Sequence, residues 1–327
     1  MGPREESRQA GGTCTVVMYH YVRPAYTGEG IIGLSVDDFD AQLGALCSRY
    51  RMLQPEEFHD RLASRLAFPD GSCLLTFDDG LRDHYDYVLP VLRRHGVAGL
   101  FFILTKPLLE GRMATTHKVH LLRQRLGDRE FRARVWERLP AKWRQPASDG
   151  GAGPQTARQR YRWDAPELAQ VKELLNYRLP YPLTDRLIGG LFRRHVGDER
   201  KEAARFYLGR PELREMLSAG MAIGGHGHAH RIYARLKQAE QAQDVDRCLD
   251  ALQQMTGRSV WAFCYPFGKP STFTPGTWAH LERRGIRCAF ASEPGVNRVG
   301  DNPYAFKRVD PKDVGARAVM EPDRCAA

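Results

Sequence analysis

Two adjacent aspartates are the first residues of this sequence whose type and spacing suit chemistry. Asp78 and Asp79 directly follow a short apolar run. Like charges this close together raise the pKa of one carboxyl group or require a cation. A metal ion would resolve the conflict, with one carboxylate as its ligand and the other as a base. The alternative is an ordinary turn, since Asp-Asp-Gly is favourable turn chemistry.

A cluster of histidines lies further along the chain, in residues 224–230 (GGHGHAH), after another apolar run. Three imidazoles among small residues are hard to explain by packing, and His is the commonest metal ligand. His226 and His230, four residues apart, could close on one ion, with His228 as an alternative ligand. Two His and one carboxylate leave positions open for water and substrate, as in catalytic metal sites. The alternative is a solvated His-rich loop.

The elements that must position these residues are strands alternating with helices. Apolar runs predict strands at residues 14–22, 73–77, 97–104, 221–225, 260–265 and 287–291. Apolar residues at helical spacing predict helices near residues 35–50, 56–66, 86–95, 238–255 and 278–284. This alternation indicates a parallel sheet or barrel, in which chemistry lies at the C-terminal ends of the strands. Both clusters fall at such ends.

Residues 106–205 have a different character. They are rich in Arg, and apolar residues at helical spacing recur near residues 168–175 and 187–195. A Gly/Pro/Ser stretch at 146–154 predicts a flexible loop. We predict a helical insertion, or cap, at 106–205, carried on a barrel of residues 14–105 and 206–315. Residues 1–13 and 316–327 are predicted to be flexible termini.

The formal net charge of the 327 residues is +10, which favours an anionic partner or indicates a well-solvated, Arg-rich surface. Because zinc-finger spacing and nucleic-acid motifs are absent from the sequence, we do not expect nucleic acid as a partner. No stretch approaches 18 apolar residues, so no membrane span is predicted. The sequence does not indicate an oligomeric state.

The cysteines bear on the compartment. The chain has seven, without a CxxC pair, and several lie inside apolar runs. This pattern predicts buried free thiols in a reducing compartment. Residues 1–12 are polar and lack the apolar core of a signal peptide. We therefore expect a cytoplasmic protein.

Taken together, the motifs resemble those of the NodB-type polysaccharide deacetylases. The matching segments, in chain order, are residues 17–20 (VMYH), 76–80 (TFDDG), 226–230 (HGHAH) and 265–268 (YPFG). The first looks like the circularly permuted branch that includes poly-N-acetylglucosamine deacetylases, in which a C-terminal Leu-x-His motif has moved to the N-terminus. The resemblance covers residues 14–105 and 206–310. By itself, the segment 265–268 could also be a strand-ending turn.

The resemblance implies a fold, a reaction and a role for each matching residue. The fold would be a distorted (β/α) barrel. Asp79, His226 and His230 would bind one divalent metal ion, Asp78 would be the general base, and His20 the general acid. Zn is the first expectation for the metal, with Co, Ni, Mn or Fe as alternatives, because such a mixed site selects weakly. The reaction would be hydrolysis of the N-acetyl amide of an amino sugar, releasing acetate and a free amine.

The sequence departs from the family pattern in several places. Gly227 replaces the usual hydroxyl residue of the second motif, and Cys264 stands near the place of an Arg that the third motif lacks. Arg308 is a candidate replacement for that Arg, or a surface charge. The backbone N–H of Tyr265 is a candidate donor to the oxyanion. His20 could instead be a histidine at the edge of the core.

Substrate contacts are expected from Tyr265, Pro266, Phe267, Gly268 and Arg308. A helical cap would narrow the site and favour a small sugar intermediate, phosphorylated or nucleotide-linked. Its phosphate would meet Arg123, Arg125 and Arg129. The alternatives are a deformylase or cyclic amide hydrolase of the same superfamily, or an inactive carbohydrate-binding protein. The intact set of two aspartates and two histidines argues against the inactive binder, which has no need of a base beside a metal.

Overall fold

The computed structural model describes residues 12–24, 30–144, 154–161 and 164–314. Its strands are β1 (Cys14–Tyr19), β2 (Val22–Arg23), β3 (Leu34–Ser35), β4 (Arg51–Met52), β5 (Ser72–Phe77), β6 (Leu100–Ile103), β7 (Ala222–Gly225), β8 (Ala262–Cys264), β9 (Cys288–Phe290) and β10 (Val296–Asn297). The main sheet has the order β10-β1-β5-β6-β7-β8-β9, with β4 pairing the start of β5. All of its pairs are parallel except β1–β10. Strands β2 and β3 form a separate small sheet.

The sheet curls into a barrel, and a late segment of the chain lies across its opening. Phe306 bridges Phe290 in β9, and Val309 bridges Val17 in β1. Residues 306–309 therefore connect the last parallel strand to the first. The expected fold, a distorted (β/α) barrel, is confirmed.

Helices cover the sheet. They are α1 (Val36–Arg49), α2 (Pro55–Ala63), α3 (Leu89–His95), α4 (Thr105–Glu110), α5 (Thr115–Arg138), α6 (Pro154–Arg160), α7 (Pro166–Glu173), α8 (Tyr181–His195), α9 (Glu199–Phe206), α10 (Arg210–Ser218), α11 (Gln238–Thr256) and α12 (Pro275–Arg283). All six residues of β5 are buried, as expected for a parallel strand covered on both faces. Helix α1 shows how sequence sets an element: Ser35 caps it by accepting from the backbone N–H of Asp38, and its apolar stripe is buried.

The predicted helices and strands are present, with shifted ends. The largest change is in the predicted strand 14–22, which divides into β1 and β2 and leaves His20 in the gap. Tyr19 is the last residue of β1, and its carbonyl accepts from the backbone N–H of Asp78 at 2.9 Å. The predicted helix 86–95 begins earlier, with a π-helical turn at His84–Val88 that leads into α3.

Between β6 and β7 the chain forms helices α4 to α10. Apolar residues of α5, α7 and α8, among them Leu122, Leu168 and Ile188, pack into a hydrophobic cluster of their own. Helix α5 is broken at Gly127, whose φ of 76° and ψ of 159° are not helical. Helices occur where the spacing predicted them, while the exact domain limits of 106–205 stay a prediction.

Some sequence-based expectations fall outside the described residues, namely flexibility at residues 1–11, 146–153 and 316–327, and the state of Cys325. Residue 154 belongs to α6. The six cysteines of the described chain are free, and all but Cys47 are buried, which confirms the predicted free thiols there. Among the described helices, none combines the length and apolarity needed to cross a lipid bilayer.

Candidate active site

The candidate residues meet at the C-terminal edge of the parallel sheet. His20 follows β1, Asp78 follows β5, His226 follows β7 and Tyr265 follows β8. Parallel strands end at one edge, so residues far apart in the sequence can line one site. The structure brings these four motifs together there, and residues 306–309 add Arg308.

Asp79, His226 and His230 form the candidate metal-binding group. Asp79 Oδ1 is 3.4 Å from Nε2 of each histidine, and the three ligand atoms all lie within 4.8 Å of one another. Asp79 Oδ1 is buried and has no hydrogen-bond partner in the described part of the chain. A buried carboxylate oxygen without a partner is unfavourable. Since one oxygen and two imidazole nitrogens are good ligands for a divalent ion, the residues present fit a metal site.

Hydrogen bonds orient both imidazoles for this role. Nδ1 of His226 is 2.8 Å from the carbonyl oxygen of Cys264, so Nδ1 donates and Nε2 is left as the ligand atom. Nδ1 of His230 is 3.4 Å from Thr116 Oγ1 in α5. Burial lowers the pKa of His230 to about 3, which favours the neutral ring that a metal ligand needs, whereas burial of His226 is outweighed by Cys264 and the Asp79 carboxylate, which raise its pKa.

Three residues of the site have left-handed backbone conformations. The φ angle is 79° at Asp79, 54° at His230 and 65° at Phe267. Among the other described residues that are not glycine, only Arg65 has a positive φ. Such conformations cost about 1–3 kcal/mol each and cluster at functional sites, where the surrounding structure imposes them.

Asp78 is held by Arg308. The guanidinium donates to both carboxylate oxygens, with Nη1–Oδ1 2.7 Å and Nη2–Oδ2 2.8 Å, and Nη2 is 3.0 Å from Cys264 Sγ. Burial alone would raise the pKa of Asp78, but the Arg308 charge lowers it to about 2. Arg308 is therefore a buried partner of Asp78 and not a surface charge.

His20 and His228 lie in different environments. His20 Nε2 is 3.7 Å from Asp78 Oδ2, and its side chain is 40% exposed, so His20 lies beyond the end of β1 with its ring beside the proposed base. His228 is buried with Nδ1 3.0 Å from Thr105 Oγ1 and Nε2 3.1 Å from Glu110. These contacts engage both ring nitrogens of His228, and the residues whose ligand atoms group with Asp79 are His226 and His230 instead.

Gly227 is where the sequence departs from the second motif, and the loop around it has another organiser. Asp244 accepts from the backbone N–H groups of His228 and Ala229 and from the Tyr233 hydroxyl. A Cβ on Gly227 would lie 2.6 Å from that hydroxyl and 2.8 Å from Asp244 Oδ1, and φ is +77°. The carboxylate and hydroxyl therefore fill the space of the usual side chain.

The third motif requires one correction. The backbone N–H of Tyr265 donates to the carbonyl oxygen of Phe290 at 3.2 Å, so it is not free to bind an oxyanion as expected. The hydrogen bonding between β8 and β9 thus continues one residue beyond Cys264, the last residue of β8. The Tyr265 ring is buried and stacks on Phe273, whereas the Phe267 ring lies 5.1 Å from that of His230, beside the site.

Sequence reasoning missed His117. Its Nε2 is 3.1 Å from Asp79 Oδ2. Burial alone would raise the pKa of Asp79, but His117 and the other two imidazoles hold that pKa well below its usual range. His117 belongs to α5, within the segment assigned to the cap, and no motif surrounds it. In the sequence, His117 is adjacent to Thr116, which contacts His230 in the structure, but neither residue belongs to a recognisable motif.

Two neighbouring cavities open at the site. The first, of about 250 Å³, is lined by the candidate catalytic and metal-binding residues together with Thr116, Tyr161, Lys172 and Phe267. The second, of about 470 Å³, shares six lining residues with it, among them His120 and Lys172. Helices of the chain between β6 and β7 therefore form part of the walls of both cavities.

The three arginines expected to meet a phosphate do not form one patch. Arg123 lines the larger cavity but pairs with Asp128 at 2.7 Å. Arg125 and Arg129 are exposed and are not part of the lining. Arg125, two positions from Arg123, lies on another side of the helix, and Arg129 lies beyond the break at Gly127.

Comparison with known proteins gives a consistent picture. A family model described as polysaccharide deacetylase matches residues 66–128 and 187–289, just over half of the chain. The matched segments include Asp78, Asp79 and the histidine cluster. A search of curated proteins finds no significant match.

Solved structures share the fold at low sequence identity. The deacetylase PplD of Streptococcus pyogenes, in complex with acetate, is 15% identical, with a TM-score of 0.59 over 95% of this chain and 100% of that one. IcaB from Ammonifex degensii is 19% identical, with a TM-score of 0.58 over 93% and 94%. A de-N-acetylase from Aggregatibacter actinomycetemcomitans is 14% identical, with a TM-score of 0.52 over 92% and 96%.

Proposed function

Because the chain belongs to the polysaccharide deacetylase family, a family of hydrolases, we propose that it removes the N-acetyl group of an amino sugar with one divalent metal ion. The observation that carries this proposal is that His226 and His230 both face Asp79 Oδ1, a buried carboxylate oxygen without a hydrogen-bond partner among the described residues. Zn²⁺ is the first candidate, because one carboxylate and two imidazoles suit it. When bound, the ion supplies Lewis acidity and a water of lowered pKa.

Asp78 is the proposed general base. It lies next to the metal group in sequence, and its low pKa keeps it ionised at neutral pH. Arg308 donates to both oxygens of this carboxylate, and Oδ2 is also 3.7 Å from Nε2 of His20. A carboxylate held in one orientation can take a proton from the attacking water without first reorganising.

His20 is the proposed general acid. Its Nε2 is close enough to Asp78 for the two groups to serve the same scissile amide, at 3.7 Å. Its partial exposure in the cavity lets it exchange protons with solvent between turnovers. Protonating the amine nitrogen as the C–N bond breaks makes the amine a competent leaving group.

The substrate is proposed to be a small amino sugar, phosphorylated or nucleotide-linked, rather than a long polymer. Cavity walls built from α5, α7 and the chain near Tyr161 support this, because they limit the space around the site. The larger cavity is lined by six Lys or Arg side chains and three Asp side chains. Arg123 and Arg308 pair with carboxylates. The other basic residues, among them Lys269 and Lys312, support a negatively charged group in the substrate. The free cysteines support a reducing, cytoplasmic location for such an intermediate.

The test is release of acid from a substrate panel by the purified chain. The panel contains N-acetyl and N-formyl hexosamines, each free, phosphorylated and nucleotide-linked, and an N-acetylglucosamine oligomer. We expect acetate from a small, phosphorylated member, and only with added metal. Formate release would move the proposal to a deformylase. Faster acetate release from the oligomer than from every small sugar would contradict the substrate class.

A further inference from the structure

Helix α5, which is not part of the sheet, contacts the proposed metal ligands. It lies between β6 and β7, and its first turn carries Thr116 and His117 to the proposed ligands. Thr116 Oγ1 is 3.4 Å from His230 Nδ1, and His117 Nε2 is 3.1 Å from Asp79 Oδ2. Two of the three proposed ligands thus contact consecutive residues of one helix.

The two oxygens of Asp79 have separate neighbours. Oδ1 faces His226 and His230, at 3.4 Å each, while Oδ2 faces His117. Because a carboxylate rotates about one bond, holding Oδ2 also fixes the direction of Oδ1. His117 is 1% exposed, so water cannot take over this contact.

Tyr207 selects which nitrogen of the His117 ring carries the proton. The Tyr207 hydroxyl accepts from the backbone N–H of Ala114 and lies 2.5 Å from His117 Nδ1. Since the backbone N–H uses an acceptor position, the one phenol proton is available for Nδ1. The ring proton is then on Nε2, which lies 3.1 Å from Asp79 Oδ2 as a close polar contact, although Nε2 has no aligned hydrogen-bond partner among the described residues.

Packing keeps this arrangement in place. The ring of His117 lies 5.2 Å from that of Phe206 and 5.4 Å from that of Tyr207. Tyr207 bridges Leu81, and the backbone N–H of Leu208 donates to the carbonyl oxygen of Gly80 at 2.9 Å. The segment that orients His117 is thereby attached to the turn that carries Asp79.

We propose that His117 is a positioning residue for the metal ligand Asp79, so that the helices between β6 and β7 complete the metal site as well as covering it. The inference rests on the proposed function, because it takes Asp79 as a ligand. His117 acts through the carboxylate, and its loss weakens metal binding before it affects the chemistry. Residues that orient a metal ligand typically contribute 10–100-fold in metal affinity.

The test measures metal affinity of the full chain by competition with a coloured chelator, for the wild type and three variants. His117→Phe removes the donor and keeps a ring, and it should bind the ion about 10–100-fold more weakly. His117→Gln carries an amide N–H that reaches toward Asp79, and it should stay within a few-fold of the wild type. The visible spectrum of the Co²⁺-loaded chain should change in the Phe variant and be restored in the Gln variant.

Lys118→Met is the matched control. Lys118 is the next residue of α5, is buried, and pairs with Glu199 at 2.7 Å, so its loss destabilises the same helix without touching Asp79. Unfolding temperature is recorded for all variants, and Lys118→Met should keep the wild-type metal affinity. Equal affinity in His117→Phe and the wild type, or an equal loss in Lys118→Met, would overturn the inference alone. A wild type that binds no divalent ion would overturn the proposed function together with the inference.

Discussion

At the scale of single residues, the site depends on contacts between distant parts of the sequence. Asp78 and Arg308 are 230 positions apart and form a two-point ion pair in the barrel. The sequence motif singled out Asp78 as a candidate base, but it left two interpretations of Arg308: a replacement for the missing arginine, or a surface charge. His117 was not predictable, because a histidine on a helix shows its partner only after the helix has packed.

Replacing Arg308 by Lys should weaken catalysis by changing the base. Lysine keeps the charge but cannot donate to both oxygens of Asp78, so the carboxyl pKa should rise from about 2. The carboxylate is the active form above its pKa, and the acidic limb of the kcat/KM profile should therefore move to higher pH. The pH–rate profile of the variant measures this shift.

Lys307→Met is the control for that variant, because Lys307 is the exposed neighbour of Arg308 in the same segment. Its profile should match the wild type. Arg308→Met is expected to be destabilised by about 3–5 kcal/mol, since it leaves a buried charge unpaired. An unchanged acidic limb in the folded Arg308→Lys variant would refute the role given to this pair.

Restoring the usual hydroxyl residue of the second motif should damage the site. Gly227→Ser would force a Cβ to within 2.6 Å of the Tyr233 hydroxyl, at a φ of +77°. The loop that carries His226 and His230 must then shift, and metal affinity should fall at least tenfold in the chelator competition.

Gly285→Ser separates strain from crowding. Gly285 has a similar φ of +79°, but a Cβ there would have no neighbour within 4 Å. Its unfolding temperature should fall while metal affinity stays that of the wild type. If Gly227→Ser bound metal as tightly as the Gly285 variant, Asp244 and Tyr233 would not be the organisers of the loop.

At the scale of elements, hydrophobic periodicity predicted most strands and helices, because burial of one face or both sets that pattern. It failed where polar contacts decide an element's end, as at His20, where β1 stops. The segment 306–309 was predicted to belong to the barrel but not to pair with its strands, since two isolated bridges leave no periodic signal in four residues.

The π-helical turn at His84–Val88 should make the protein sensitive to acid. His84 is fully buried, which lowers its pKa to about 4, and its Nε2 is 2.8 Å from the carbonyl oxygen of His20. The unfolded chain binds the proton near pH 6.5. Stability from this group is therefore complete above pH 6.5 and is lost as the pH falls toward 4, by up to about 3 kcal/mol.

Urea unfolding of the metal-free chain between pH 7.5 and 4 measures this loss. His84→Gln should be less stable at pH 7.5 but should show a shallower decline with acid than the wild type. His59→Gln, at a partly exposed position of α2, should follow the wild-type slope. Parallel slopes for the wild type and His84→Gln would contradict the assignment.

At the scale of the whole molecule, the net charge of +10 indicates a binding site for an anion only when the positions of the basic residues are known. The sequence suggested Arg123, Arg125 and Arg129 as a phosphate site, and the fold separates them. Basic residues from several elements line the larger cavity instead. Composition suggests an anionic partner, while the place where basic residues gather depends on tertiary packing.

Lys269→Met should raise KM for a phosphorylated N-acetyl sugar and leave KM for its neutral analogue unchanged. Lys269 lines the larger cavity, and one cation fewer weakens attraction to a phosphate in a salt-dependent way. Steady-state kinetics at two ionic strengths measures this effect. Arg125→Met, which removes an exposed cation outside the lining, is the control, and an equal rise in KM there would show a general charge effect.

The central claim is that one divalent ion at Asp79, His226 and His230 serves an amide hydrolysis in which Asp78 is the base. The most direct measurement is acetate release from an N-acetyl amino sugar as a function of bound metal per chain, for the wild type, Asp79→Asn and Asp78→Asn. We predict release that rises in proportion to occupancy and saturates at one ion in the wild type. Asp79→Asn should lose both binding and release, and Asp78→Asn should bind the ion while release falls about 10²–10⁴-fold. Equal release from the chelated wild type, or full activity in Asp78→Asn, would contradict the account.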